Sequence, residues 1–143
     1  MKRQPQPQTA PPPEFLAKMR ALLPEGEFDA FLAAYDRPPI AGLRVNTLKI
    51  APPDFTSLAP FSLAPVGAWE PAAFTVTGDS RPGRHPYHDA GLYYLQDPSA
   101  MTAAVALSPR PGELVLDLAA APGGKATHLA ARLAGGAGGG SPL

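Results

Sequence analysis

The sequence predicts an α/β protein: a small α+β domain over residues 13–86, then the start of a Rossmann-like domain over residues 87–134. Three observations carry this. Helical apolar spacing and short alternating runs are mixed through the first half. Near the other end, Leu114, Val115, Leu116 and Leu118 form a short run apolar on both faces, the pattern of a buried parallel strand. Small residues, Pro122, Gly123 and Gly124 follow, and then Leu129 and Leu133 lie four apart on a helical face with Ala126 and Ala130 alongside. Strand, tight turn and helix make the first unit of a doubly wound sheet.

The elements follow in order. Residues 1–12 are polar and proline-rich and read as a disordered arm, in which Lys2 and Arg3 are solvated rather than RNA-bound. Pro13-Glu14 opens a helix whose face is Phe15, Leu16, Met19, Leu22 and Leu23. Pro24 and Gly26 interrupt it. A second helix spans Glu27 to Tyr35, ended by Pro38-Pro39, with Phe28, Phe31, Leu32 and Tyr35 as core rather than as a base-stacking platform. Leu43 to Leu48 alternates apolar and polar and predicts a half-buried strand offering Arg44 and Asn46 outward. Pro52 to Trp69 is a proline-broken stretch with a weak helix or loop. Ala72 to Thr77 is a strand, Gly78 to Pro86 a loop, and Gly91 to Gln96 a strand. Asp97 caps a helix from Pro98 to about Leu107, with Met101, Ala104 and Val105 inward. Residues 135–143 are a flexible glycine-rich tail.

Composition narrows the function. Twenty prolines and fourteen glycines shorten the regular elements. Twelve basic and twelve acidic residues cancel, and each half of the chain is balanced too, so no strong basic field announces nucleic acid. No apolar run approaches the roughly 18 residues of a membrane span, and the N-terminus lacks a signal-peptide core. Both point to the cytoplasm and away from a membrane. The residues contain no cysteine, which excludes disulfides and thiolate metal sites. His85 and His88 without a third ligand do not make a metal site.

The chemistry-bearing stretch is Asp117 to Lys125. Ala119, Ala120, Ala121, Pro122, Gly123 and Gly124 carry little side chain, so a ligand can approach the backbone. The N–H groups of the helix start favour a carboxylate or phosphate, and Asp117 can accept from an amine or hydroxyl. A phosphate-binding P-loop does not fit: Ala119 stands where it needs glycine, and Ala126 where it needs the Mg²⁺-binding hydroxyl. The dinucleotide fingerprint is also absent. An S-adenosylmethionine loop fits, with Asp117 as the acid, Ala119 and Ala121 in place of its first two glycines and Gly123 as the third.

Asp117-Leu-Ala-Ala-Ala-Pro-Gly-Gly-Lys125 resembles motif I of the NOL1/NOP2/Sun family of RNA cytosine-5 methyltransferases, usually D-x-C-A-A-P-G-G-K-T. Leu43-Arg-Val-Asn-Thr-Leu-Lys49 and the stretch from His85 to Met101 resemble family segments in the same order and spacing. Roughly Pro13 to Leu133 resembles the bacterial ribosomal-RNA methyltransferases of the RsmF type. Ala119 and Ala126 depart from the family's Cys and Thr. The resemblance implies a class I methyltransferase domain, with S-adenosyl-L-methionine bound by Ala119, Ala120, Ala121, Pro122, Gly123, Gly124 and Lys125. It implies RNA, small-subunit rRNA, as substrate. Arg44, Asn46, Lys49, Arg81 and Arg84 are the candidate RNA contacts. The family's reaction uses a Cys thiolate on cytosine C6 and a second Cys in product release. Neither exists here, so no catalytic residue is assigned and the chain is expected to be a truncated enzyme, inactive alone.

Two other readings compete. A non-enzymatic RNA-binding accessory module would gather Arg44, Lys49, Arg81 and Arg84 on one basic face. A methyltransferase acting on protein or a small molecule would keep the loop but not the two flanking segments.

Overall fold

The computed structural model describes residues 10–37, 40–78 and 80–135. Residues 1–9 of the expected arm, the Pro38-Pro39 helix stop and residues 136–143 of the expected tail lie outside the described residues. The chain divides into two compact units, Met1–Pro39 and Ile40–Leu143.

The first unit holds helices α1 (Pro13–Leu22) and α2 (Glu27–Tyr35). Proline opens α1 with Glu14 in its first turn, as the dipole favours. Gly26, at φ 90°, is the left-handed residue that starts α2. Phe31 packs on Phe15, Phe28 and Tyr35, with ring centroids 5.3–6.2 Å apart. The Arg20 guanidinium lies 4.1 Å from the Phe28 ring centre. The aromatics of α2 thus bind α1 to α2.

The second unit is a four-stranded antiparallel sheet with helices on both faces. Its strands are β1 (Gly42–Val45), β2 (Ser62–Pro65), β3 (Ala73–Thr77) and β4 (Tyr93–Leu95), in the spatial order β2-β3-β1-β4. Arg44 lies opposite Ala73 on one side and Tyr94 on the other. The period of two then sorts the side chains. Leu43, Val45, Phe74 and Tyr93 form the apolar core with Phe55, which stands on helix α3 (Pro52–Leu58). Phe55 and Tyr93 meet at 5.3 Å between centroids. Arg44 and Tyr94 point to the opposite face.

A short 3₁₀ turn (Pro82–Arg84) and helix α4 (Pro86–Asp89) lead into β4. The His85 ring accepts from the Tyr87 N–H and caps α4, a structural use for a residue that the sequence weighed as a ligand. Helix α5 (Pro98–Leu107) is capped by Asp97 and buries Met101 and Ala104, as its pattern predicts. Two bonds to Ser99 hold the Asp97 carboxyl below its usual pKa. Helix α6 (Gly124–Leu133) packs beside α5 and buries His128, Leu129 and Ala131.

The mixed α/β class is borne out, and two local expectations are corrected. The run 114–118 forms no strand: Leu114, Leu116 and Leu118 are each more than four-fifths exposed. A strand exists only by pairing, and no described strand lies beside this one. Strand β1 is buried along all four residues rather than half-buried. It is a central strand, and the face carrying Arg44 is covered too. The sheet also takes strands from both sides of residue 86, because β4 pairs with β1.

Candidate functional site

The loop from Asp117 to Gly124 rests against the face of the sheet opposite the apolar core. Gly123 starts α6 at φ 116°, a conformation that only glycine adopts without strain. No side chain caps the helix, so the N–H groups of its first turn have no intrahelical partner. A Cβ on Gly123 would come no nearer than 4.0 Å to Thr127 Cγ2 and the Tyr94 hydroxyl. There is open space beside it. Asp117 Oδ1 accepts from the Ala119 N–H at 2.9 Å. Asp117 Oδ2 is buried with no hydrogen-bond partner among the described residues. A buried, unpaired carboxylate oxygen is costly unless something donates to it.

Three side chains, one from β1, one from β4 and one from the residue after β4, lie beneath this loop. Tyr94 donates from its hydroxyl to the Pro122 carbonyl at 3.3 Å. Arg44 donates through Nη2 to Thr127 Oγ1 at 2.9 Å and to the Gly124 carbonyl at 3.3 Å. Arg44 also donates through Nε to Gln96 Oε1 at 3.1 Å. Gln96 in turn lies against Gly124, where a Cβ would meet its Nε2 at 3.4 Å.

A second polar cluster seats the rest of α6. Glu70, at the turn before β3, accepts at Oε2 from Arg132 Nη2 at 2.7 Å and meets His128 Nε2 at 2.8 Å. His128 Nε2 also lies 3.3 Å from Arg132 Nε. Glu70 Oε1 accepts from the Ala72 N–H at 3.2 Å. Burial opposes charge on Glu70, but the bonds from His128 and Arg132 outweigh it and hold the carboxyl at about 2, down from 4.5. Burial lowers Arg44 to about 10, an effect that the nearby Glu70 charge partly offsets. A groove of about 420 Å³ runs past Arg44, Glu70, His128 and Arg132.

The candidate RNA contacts separate. The sequence offers Arg44 to RNA, but the structure turns it inward: it is 3% exposed, with both Nε and Nη2 engaged. The period of two puts Arg44 opposite Leu43 and Val45, and α6 covers that side. Asn46 is spent on a turn, donating to the Gly91 carbonyl at 2.8 Å and accepting from the Leu48 N–H. Lys49 is exposed and bonds the Ala90 carbonyl at 2.6 Å, at the end of α4. Arg81 and Arg84 are exposed just before α4. Lys49, Arg81 and Arg84 therefore flank one short helix, while Arg44 lies beneath the loop. Tyr94, Gln96, Glu70 and His128 were not among the sequence candidates. Gln96 carried one signal, its place at the end of the strand predicted from Gly91 to Gln96.

Residues 12–98 match the family model described as the N-terminal domain of 16S rRNA methyltransferase RsmF. A ribosomal RNA small subunit methyltransferase F of Klebsiella pneumoniae (strain 342) is 45% identical over 139 residues, covering 90% of this chain and 28% of that protein. That of Enterobacter sp. (strain 638) is 44% identical over 132 residues, covering 85% of this chain and 27% of its own. A crystal structure of a methyltransferase homologue from Pyrococcus horikoshii superposes with a TM-score of 0.65 at 33% identity, over 85% of this chain and 45% of that one. The chain thus spans little more than a quarter of the length of these curated relatives. The likeness read from the three sequence segments is borne out, and the chain belongs to the RsmF N-terminal domain family of 16S rRNA methyltransferases.

Proposed function

We infer that this chain serves S-adenosylmethionine-dependent methylation of cytosine C5 in small-subunit ribosomal RNA, in the cytoplasm. Residues 117–125 carry the cofactor loop, and Lys49, Arg81 and Arg84 are the side chains that meet RNA. Family membership supports the substrate class. The observation that carries the cofactor is the pairing of Asp117 Oδ2, buried and unpartnered, with the open turn at Gly123.

Residues 119–125 would line the cofactor. The N–H groups at the start of α6 suit its carboxylate, and Asp117 Oδ2 suits an amine or hydroxyl donor. When bound, the cofactor supplies the methyl group. Lys49, Arg81 and Arg84 would take phosphates and fix the register of the RNA without reading its sequence. Arg44 and Asn46 would support the site from inside. The family's C6 addition needs a thiolate, and these 143 residues hold no cysteine. The chain alone is therefore inactive.

Calorimetric titration with S-adenosylhomocysteine tests the cofactor reading. The chain should bind, and Gly123→Val should not, because valine is strained at φ 116° and its methyls would enter the open space. Equal affinities would remove the assignment. Incubation with radiolabelled S-adenosylmethionine and unmodified small-subunit RNA should give no methyl incorporation above background. The accessory-module reading needs Arg44 on the basic face, and its inward turn takes that support away.

A further inference from the structure

We propose that Arg44 is the positioning residue of the glycine loop: from within the sheet it fixes the first turn of α6, so that the turn's N–H groups converge on an anionic group of the ligand. The proposal rests on the cofactor reading above and assigns a new role within it.

Three consecutive carbonyls of the loop each receive a side-chain donor. Pro122 receives the Tyr94 hydroxyl, Gly123 receives Thr127 Oγ1 at 2.7 Å, and Gly124 receives Arg44 Nη2. Fixing these carbonyls fixes the peptide planes that carry the neighbouring N–H groups. Arg44 is the hub, because one planar guanidinium bonds Gln96 through one nitrogen and both Thr127 and Gly124 through another. A lysine ammonium is a point charge and cannot reproduce that fork.

The electrostatics favour the same role. A helix start carries a positive partial charge, so a buried cation beside it is unfavourable for folding alone. The two positive sources together favour a negative group in the space in front of the turn. The nearby Glu70 carboxylate offsets only part of the cost of burying that charge. Docking is already provided by Glu70 with His128 and Arg132, one to two turns further along the helix.

The experiment uses the 143-residue chain with Arg44→Met and Arg44→Lys. Met keeps the length without charge, and Lys keeps the charge without the fork. Amide hydrogen exchange is read at Thr127, whose N–H donates to the Gly123 carbonyl at 2.8 Å, and, as an internal control, at the paired residues of β2 and β3. Both variants should lose protection at Thr127 by roughly tenfold, with β2 and β3 unchanged. Unchanged protection at Thr127, or a loss spread evenly over the sheet, overturns the proposal. If either variant does not fold, Thr127→Val removes the acceptor of Arg44 Nη2 together with the donor to the Gly123 carbonyl and should lower protection at the same place by about threefold.

Binding supplies the selective readout. Arg44→Met should weaken S-adenosylhomocysteine by roughly tenfold and leave 5′-methylthioadenosine, which lacks the carboxylate, within about twofold. Equal losses for both ligands would make Arg44 merely structural and overturn the proposal. If the unaltered chain binds neither ligand, the cofactor reading fails by itself, and hydrogen exchange still decides the role of Arg44.

Discussion

The two faces of the sheet are held by different physics. One face is Leu43, Val45, Phe74 and Tyr93 closed by Phe55, an apolar core in which Leu43, Val45 and Phe55 are wholly inaccessible. The other face carries Arg44, Tyr94 and Gln96 and is closed by α6 and the glycine loop, largely through polar contacts. The apolar face is stabilised by removing surface from water and tolerates small shifts. The polar face is directional: each bond fixes an angle as well as a distance. A loop that must hold a ligand suits the second kind of support, and a scaffold suits the first.

The largest expected effect breaks the apolar face. Phe55→Ala should destabilise the second unit by about 3–5 kcal/mol, from lost transfer energy and the cavity left behind. Urea unfolding followed by circular dichroism measures it. A loss under about 1 kcal/mol would mean that Phe55 is not the keystone its complete burial indicates.

The polar face should answer to pH where the apolar face does not. Glu70 is held at about 2 in the fold against 4.5 as its ordinary value. A depressed acid stabilises the fold above its unfolded pKa and loses that contribution as pH falls through the folded one. The window is therefore pH 4.5 down to about 2. Glu70→Gln should lose on the order of 1–3 kcal/mol at pH 7 and flatten the stability profile inside the window. Parallel profiles for the two proteins would show that the cluster contributes no net pH-dependent stability.

A third region lacks both kinds of support. Leu114, Leu116 and Leu118 stand exposed in a stretch that pairs with no strand among the described residues. Such a stretch offers apolar side chains and free backbone groups to another chain. Sedimentation velocity should show weight-average mass rising with concentration, and Leu116→Lys should reduce that rise. A monomer at every concentration would mean that the stretch is protected in solution.

These contrasts explain what the sequence revealed. Helices α2 and α5 were legible to the residue because their cues are local: the face of Phe28, Phe31, Leu32 and Tyr35, and the Asp97 cap. The glycine turn was legible because Pro122-Gly123-Gly124 leaves few backbone choices. The burial of Arg44 was not. An alternating strand reads as half-buried, and nothing within residues 43–48 tells that α6, some 80 positions later, covers the polar side. Glu70 and His128 were hidden for the same reason, since they are 58 positions apart and meet only in the fold. The strand at 114–118 failed in the opposite way: its pattern was clear, but pairing is not a local property.

The smallest effect concerns the exposed cations, and it separates them from Arg44. Lys49, Arg81 and Arg84 are all exposed, and the last two are followed directly by α4, whose far end Lys49 bonds. If they neutralise RNA phosphates, each releases condensed counterions, and the slope of log affinity against log salt falls by about 0.7–0.9 for each residue removed. Arg81→Ala and Arg84→Ala should each show that change with small-subunit RNA and leave thermal stability within about 0.5 kcal/mol, as exposed positions do. Lys49→Ala should give less, because its ammonium is already shared with the Ala90 carbonyl. Arg44→Met makes the comparison sharp: a guanidinium facing the loop releases no counterion, so its slope should match that of the unaltered chain. A lower slope for Arg44→Met would put that side chain on the RNA and return it to the surface that its place in an alternating strand suggests.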